Sequence, residues 1–185
     1  MDDVFLKQAS QSSVHEGEET PEQKKERLIK QLASLLHDEW RAPRKKDDGT
    51  FEPRIKVFAK TEKGEKWFDE NKVPSEAQEL KKQDIANTPF ESLDPDWQYE
   101  NGAAAEVAIN EIFKAVENNQ SFNDAFIEEA SAVVHDKWLE RNNWVYNPDY
   151  GNPDLAKPYK ELSEEEKEKD RAQIKKAIDI YNSVK

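Results

Sequence analysis

A repeated phrase constrains this chain more than any other feature. "LLHDEW" at residues 35–40 returns as "VVHDKW" at 133–138. The offset of 98 positions also holds upstream. Leu28, Leu32, Leu35, Leu36, His37 and Trp40 match Phe126, Ala130, Val133, Val134, His135 and Trp138. A second set keeps an offset of 69: Pro89, Phe90, Leu93, Ala105, Ala108, Ile109 and Ile112 match Pro158, Tyr159, Leu162, Ile174, Ala177, Ile178 and Tyr181. The apolar members of both sets recur at helical spacing. The difference between the offsets leaves the first copy longer by 29 positions, which assigns the charged 61–88 stretch as an insertion. "TFEP" ending at Pro53 resembles "VYNP" ending at Pro148 between the helices. Each copy therefore reads as helix, short extended segment, Pro-aromatic-x-x-Leu, cap, helix. Neither helix pair can bury its stripe alone, so the copies are expected to pack together about a pseudo-twofold axis.

Local signals give the element boundaries. Residues 1–19 read as a mobile tail, with Phe5 and Leu6 as its apolar handle. The first repeat then covers 20–117 and the second 118–185, forming one domain. Thr20 with Gln23 fits a capping box and Pro21 the first helical position. Ala42-Pro43 ends that helix. Alternation at Ile55, Val57 and Ala59 predicts one or two short strands. The 61–88 insertion, with its Trp67-Phe68 pair, is expected to hold a short helix or two. "LDPDW" supplies a cap at Asp94 and Pro95 at the helix start, and the buried face runs on to Val116. The third helix is expected to begin at Ser121 and the last at Ser163, with Glu166 completing a capping box. A short strand is expected at Trp144–Tyr146. The fold class is mainly α with short β-strands.

Composition narrows the function. Five Trp, eight Phe and five Tyr supply core material in a chain that is 37% charged, which argues against full disorder. A net charge of -12 disfavours binding to a nucleic-acid backbone, which rests on neutralising phosphates. Cysteine is absent, so thiolate metal sites and disulfides are excluded. No apolar run reaches membrane-spanning length and no signal-peptide layout opens the chain. The expectation is a soluble, cytoplasmic protein.

The stretch "VVHDKWLERNNWVYNPDYGNPDLAKPYKELSEEEKEKDR" resembles the ryanodine-receptor repeat, or RyR domain. The matching positions are His135, Trp138, Trp144, Tyr146, Pro153, Pro158, Tyr159, Leu162, Lys167, Asp170 and Arg171. The pattern departs at Asn147, where the family has Gly, and at Asn152, where it has His. The first copy matches through the internal repeat at His37, Trp40, Pro89, Phe90 and Leu93. The resemblance implies a tandem pair of repeats forming one pseudo-symmetric unit of helices with short strands. The first copy also resembles small proteins of bacteria and their phages.

Candidate functional residues fall into three groups. His37 and His135 have no second His one turn away, so a metal site is not indicated. They read as structural pegs that hydrogen-bond a loop carbonyl of their own copy. Trp138 reads as core, and Asp170 with Arg171 as an ion pair anchoring the last helix. Trp144, Tyr146 and Tyr159 lie in or beside the extended segments, as core filler or as an aromatic wall for a flat ligand. Trp40, Arg41, Arg44 and Arg54, with Lys45, Lys46 and Lys56, form a basic island. It is either a solvated loop or an anion site, since an aromatic ring stacks a base while guanidinium forks grip phosphate. The acidic run from Ser163 to Asp170 suits a helix start, not a metal. No phosphate-binding glycine loop and no catalytic triad can be assembled.

The expectation is a non-enzymatic RyR-like module that binds a nucleotide-like anionic small molecule, for sensing or sequestration, without metal or cofactor. The alternative is a protein–protein adaptor whose basic island meets an acidic partner. An enzyme acting on a nucleotide is the third reading.

Overall fold

Each helix begins where the sequence supplies a cap, in a computed structural model that describes residues 18–149 and 151–184. Helix α1 spans Pro21–Arg41. Thr20 Oγ1 accepts from the Gln23 N–H at 3.1 Å, and Gln23 Oε1 accepts from the Thr20 N–H at 3.0 Å, so two orphan donors are satisfied reciprocally. Helix α2 spans Pro95–Glu117 with Asp94 as its cap. Helix α3 spans Asp124–Arg141, and its cap is Asn123, not the expected Ser121. Asn caps as well as Ser, and Asn123 Oδ1 accepting from Phe126 N–H at 3.0 Å sets Phe126 into the core. Helix α4 spans Glu164–Ser183, with Ser163 accepting from Glu166 N–H. The tail expected over 1–19 lies outside the described residues except for Glu18 and Glu19.

The four helices enclose one apolar centre. Leu28, Leu32 and Ala33 of α1 meet Ala108, Ile109 and Ile112 of α2, Phe126, Ala130 and Val134 of α3, and Ile174, Ala177 and Ile180 of α4. The expected stripes are right in phase but run too far. Trp40 and Val116 stay exposed at the helix ends, beyond the reach of the opposing helices. Ile180, which the repeat did not flag, is buried.

The insertion does not form helices. It supplies β2 (Gly64–Asp69) and β3 (Gln78–Asp84), which flank β1 (Ile55–Thr61) in an antiparallel sheet ordered β2-β1-β3. Its one helical piece is a 3-10 turn at Glu70–Lys72. Edge strands meet water, so β2 and β3 carry Lys and Glu, which masks their alternation. Val57 pairs with Phe68, and Phe58 with Trp67, so the aromatic pair splits between the two faces. A bulge between Phe58 and Ala59 leaves Leu80 unpaired and exposed.

One face of the sheet docks on the start of α2. Trp67 Nε1 donates to Asp96 at 3.1 Å, and Lys81 Nζ to Asp94 at 2.6 Å. Gln83 Oε1 accepts from Asp94 N–H at 2.9 Å. The Trp67 ring meets Trp97 edge-on at 5.4 Å. The Lys81 ammonium holds the Asp94 carboxyl below the usual carboxylate range.

Both histidines take the same local arrangement. His37 Nε2 is 2.8 Å from the Thr88 carbonyl, and His135 Nε2 is 2.7 Å from the Lys157 carbonyl. Each carbonyl belongs to the residue before the Pro-aromatic step, and each such step opens a 3-10 turn, at Phe90–Ser92 and Tyr159–Glu161. Each ring stacks on the Trp three residues on, His37 on Trp40 at 5.8 Å and His135 on Trp138 at 6.0 Å.

The segment expected as a strand at Trp144–Tyr146 is instead a 3-10 turn, Asn143–Tyr146. Asn142 decides this. Its Nδ2 donates to the Trp138 carbonyl at 2.8 Å, and its Oδ1 accepts from Trp144 Nε1 at 3.0 Å, folding the chain back on the helix end. Gly151 then passes so close to the Val145 and Asn147 carbonyls that a Cβ would collide with both. No helix among the described residues is long and apolar enough to cross a membrane.

Candidate functional site

A cavity of about 290 Å³ opens where the end of α1, the start of β1 and the first turns of α2 converge. His37, Ile85 and Leu93 are buried at its base. Trp97, Glu100 and Asn101 line it from α2, Arg54 and Lys56 from the strand side, and Trp40 from the end of α1. Its volume lies near the lower end of the ~300–1,000 Å³ range of small-molecule sites.

The two sides differ in charge. Arg54 Nη2 and Lys56 Nζ both reach Asp69 Oδ1, at 3.1 and 2.6 Å. The Lys56 bond holds the Asp69 carboxyl low, so the trio is two cations on one anion. An ammonium has three donors and a guanidinium five, which leaves most of them unused by Asp69. Across the cavity, the Glu100 carboxylate accepts from Arg141 of α3 at 3.2 and 3.4 Å. Trp97 Nε1 is buried with no hydrogen-bond partner, which costs free energy in the folded chain.

The structure divides the expected basic island. Arg54 and Trp40 share the cavity, joined by Lys56. Arg41 is fastened elsewhere: its Nε donates to the Ala86 carbonyl at 2.8 Å and its guanidinium lies 4.3 Å over Phe51. It ties the end of α1 to the sheet and leaves little to offer a ligand. Arg44 lies 4.5 Å over the Trp40 ring, so Trp40, already stacked on His37, offers the cavity less free ring face than a lone aromatic would. Lys45 and Lys46 are exposed.

The second expected group does not join this cavity. Trp144 and Tyr146 are 45% and 57% exposed, and Trp144 meets Trp138 edge-on at 6.2 Å. Tyr159 is buried, and its hydroxyl donates to Glu128 at 2.9 Å. Burial first, then the Glu128 carboxylate, push its phenol up to about 12. Tyr159 thus serves the packing of α3 on α4.

Asp170 and Arg171, expected as a pair, turn to different partners. Arg171 reaches Glu128 of α3 at 2.5 Å and Glu164 at 3.0 Å, joining the two helices. Asp170 sits 3.7 Å from His135 Nδ1. Burial, followed by the nearby Glu166 charge and opposed by Lys169, raises its carboxyl to about 7.

Trp97, Glu100, Asn101 and Ile85 were missed as site residues. A signal existed for Trp97 and Glu100: they lie three positions apart, so they share a helix face. Ile85 carried no signal, because its place depends on a sheet hidden by charge. Comparison with known family models, curated proteins and solved structures returned no match.

Proposed function

We propose that this chain is a duplicated, RyR-like module that binds a nucleotide-like anionic small molecule without transforming it. The duplication reading is supported by the paired histidine–carbonyl bonds, repeated at the same sequence offsets as the apolar stripes. The ligand reading rests on one observation: the cavity joins two tryptophans to two cations with donors to spare. A phosphate meets Arg54 and Lys56, and a flat ring packs against the Trp97 side of the cavity. His37 in the base has its Nε2 engaged with the Thr88 carbonyl, which suits support more than proton transfer.

The test is a thermal-shift screen with mononucleotides on the whole chain. A ligand that binds only the native state raises Tm by mass action, by about 2.7 kcal/mol in stability at a hundredfold excess over Kd. The double variant Arg54→Ala, Lys56→Ala is expected to abolish the shift while keeping the helical circular-dichroism signal. A flat response to every nucleotide overturns the ligand reading. The adaptor reading has its own observation, because Tyr99, Trp144 and Tyr146 remain well exposed outside the cavity.

A further inference from the structure

The two ends of the helix bundle are finished differently. The end at the start of α2 is covered by the sheet, through Trp67, Lys81 and Gln83. The other end gathers the start of α1, the close of α2, the approach to α3 and the close of α4. Three rings meet there edge-on: Phe113 lies 5.9 Å from Tyr181, and Phe122 lies 6.0 Å from it. All three are only partly buried. Val116, three residues past Phe113 and on the same helix face, is 42% exposed. Two lysines of α1 lie over these rings. Lys24 Nζ is 4.7 Å from the Tyr181 centroid, and Lys25 Nζ is 5.9 Å from that of Phe113. Neither ammonium joins an ion pair among the described residues. Glu19, just ahead of them, is held instead by Arg27 at 2.5 and 2.6 Å.

We propose that the chain's own first residues, Asp2 to Leu6, dock on this aromatic end. Residues 1–17 lie outside the described residues, and the described chain begins at Glu18, two positions before the α1 cap. The segment is therefore attached at the end it covers. Twelve residues, 6–17, separate Phe5 from Glu18, a reach of up to about 40 Å when extended. The loop is short enough for its closure to cost little. The chemistry matches in order. Val4-Phe5-Leu6 is the one run of bulky apolar residues ahead of α1, and Asp2-Asp3 immediately precedes it. The apolar run meets Phe113, Val116 and Phe122, while the two carboxylates meet Lys24 and Lys25. An ammonium over an exposed ring is weakly held, so the carboxylates draw both lysines aside and bare ring face for Phe5.

Cysteine is absent from the chain, so Ala9→Cys gives the whole protein a single site for a nitroxide label. In NMR spectra the label is expected to erase the amide signals of Val116, Phe122 and Val184 and to leave those of β2 intact. Phe5→Ser with Leu6→Ser, made in the same labelled chain, is expected to restore the lost signals. Asp2→Lys with Asp3→Lys is expected to restore them in part. Signals that survive in the labelled parent, or a loss that the Ser variant leaves unchanged, overturn the docking, because a tethered segment alone gives no dependence on Phe5 and Leu6. An equal loss in isotope-labelled chain mixed with separate nitroxide-labelled chain also overturns it, and assigns the aromatic end to a second copy.

Discussion

The two helix pairs share their apolar phasing and differ in what they do with polar groups. The α3–α4 pair is laced by charge: Arg171 reaches Glu128 and Glu164, Tyr159 donates to Glu128, and Asp170 faces His135. At the matching positions the α1–α2 pair has Gly102 for Arg171, Lys30 for Glu128, Phe90 for Tyr159 and Asn101 for Asp170. Where the second pair is clamped, the first is open, and the cavity lies in the open half. The cavity thus lies beside the pair that lacks these charge clamps.

The sharpest test of the comparison is an exchange in the core. Leu32 is fully buried, and its counterpart is the smaller Ala130. Leu32→Ala is expected to cost about 2–5 kcal/mol in urea unfolding, through lost transfer energy and a cavity. A cost below about 1 kcal/mol would mean that the two stripes are interchangeable in volume as well as in phase.

A second exchange concerns charge. The Asp170 carboxyl titrates near 7 in the folded chain and near about 3.9 when unfolded. Between those values the native state holds a proton that the unfolded state has lost, so stability falls as pH rises from about 4 to 7. Asp170→Asn gives the second pair the amide the first already has. It is expected to match wild type near pH 4 and to exceed it at pH 8 by on the order of 2 kcal/mol. A stability difference that does not change with pH would show that Asp170 keeps its ordinary acidity.

The histidines test the likeness itself. His37→Ala and His135→Ala each strand a loop carbonyl, at an expected cost of about 1–3 kcal/mol. His135→Ala also removes the contact with Asp170, so what the comparison requires is that both variants lose stability. No loss at either one would break the equivalence.

Two smaller changes borrow from one half to repair the other. Ser131 is fully buried with its hydroxyl unpartnered, and its counterpart is Ala33. Ser131→Ala is expected to raise stability by about 1 kcal/mol. Gly102 lies inside α2 with open space around an added Cβ. Gly102→Ala is expected to gain about 0.5–1 kcal/mol. A loss in the Gly102 variant would mean that the cavity wall needs a helix that yields there.

Helices were legible because their signals are local. Thr20 with Gln23, Asp94 before Pro95, and Ser163 each mark a start that can be read without knowing the fold. The histidine–carbonyl bonds were legible because matching sequence offsets set each His in register with its own Pro-aromatic step. The sheet was not, because β2 and β3 owe their pairing to β1, and their solvent faces carry charge. Half of the site went unseen with it. Arg54 and Trp40 were singled out, but the partner of Arg54 is Asp69 on β2, and Ile85 follows β3 into the cavity base. Tyr159 shows the converse: of the two readings open to an aromatic beside a loop, core filler or ligand wall, the Pro-aromatic turn favours the first by driving it inward against Glu128.

The strand order carries one more implication. Both neighbours of β1 come from the same inserted stretch. Excising that stretch would bare both edges of β1 at once, and it would remove Asp69, Ile85 and the Trp67 brace on Trp97 together. The sheet and the cavity wall thus stand or fall together, while the core of the four helices is built from residues outside that stretch.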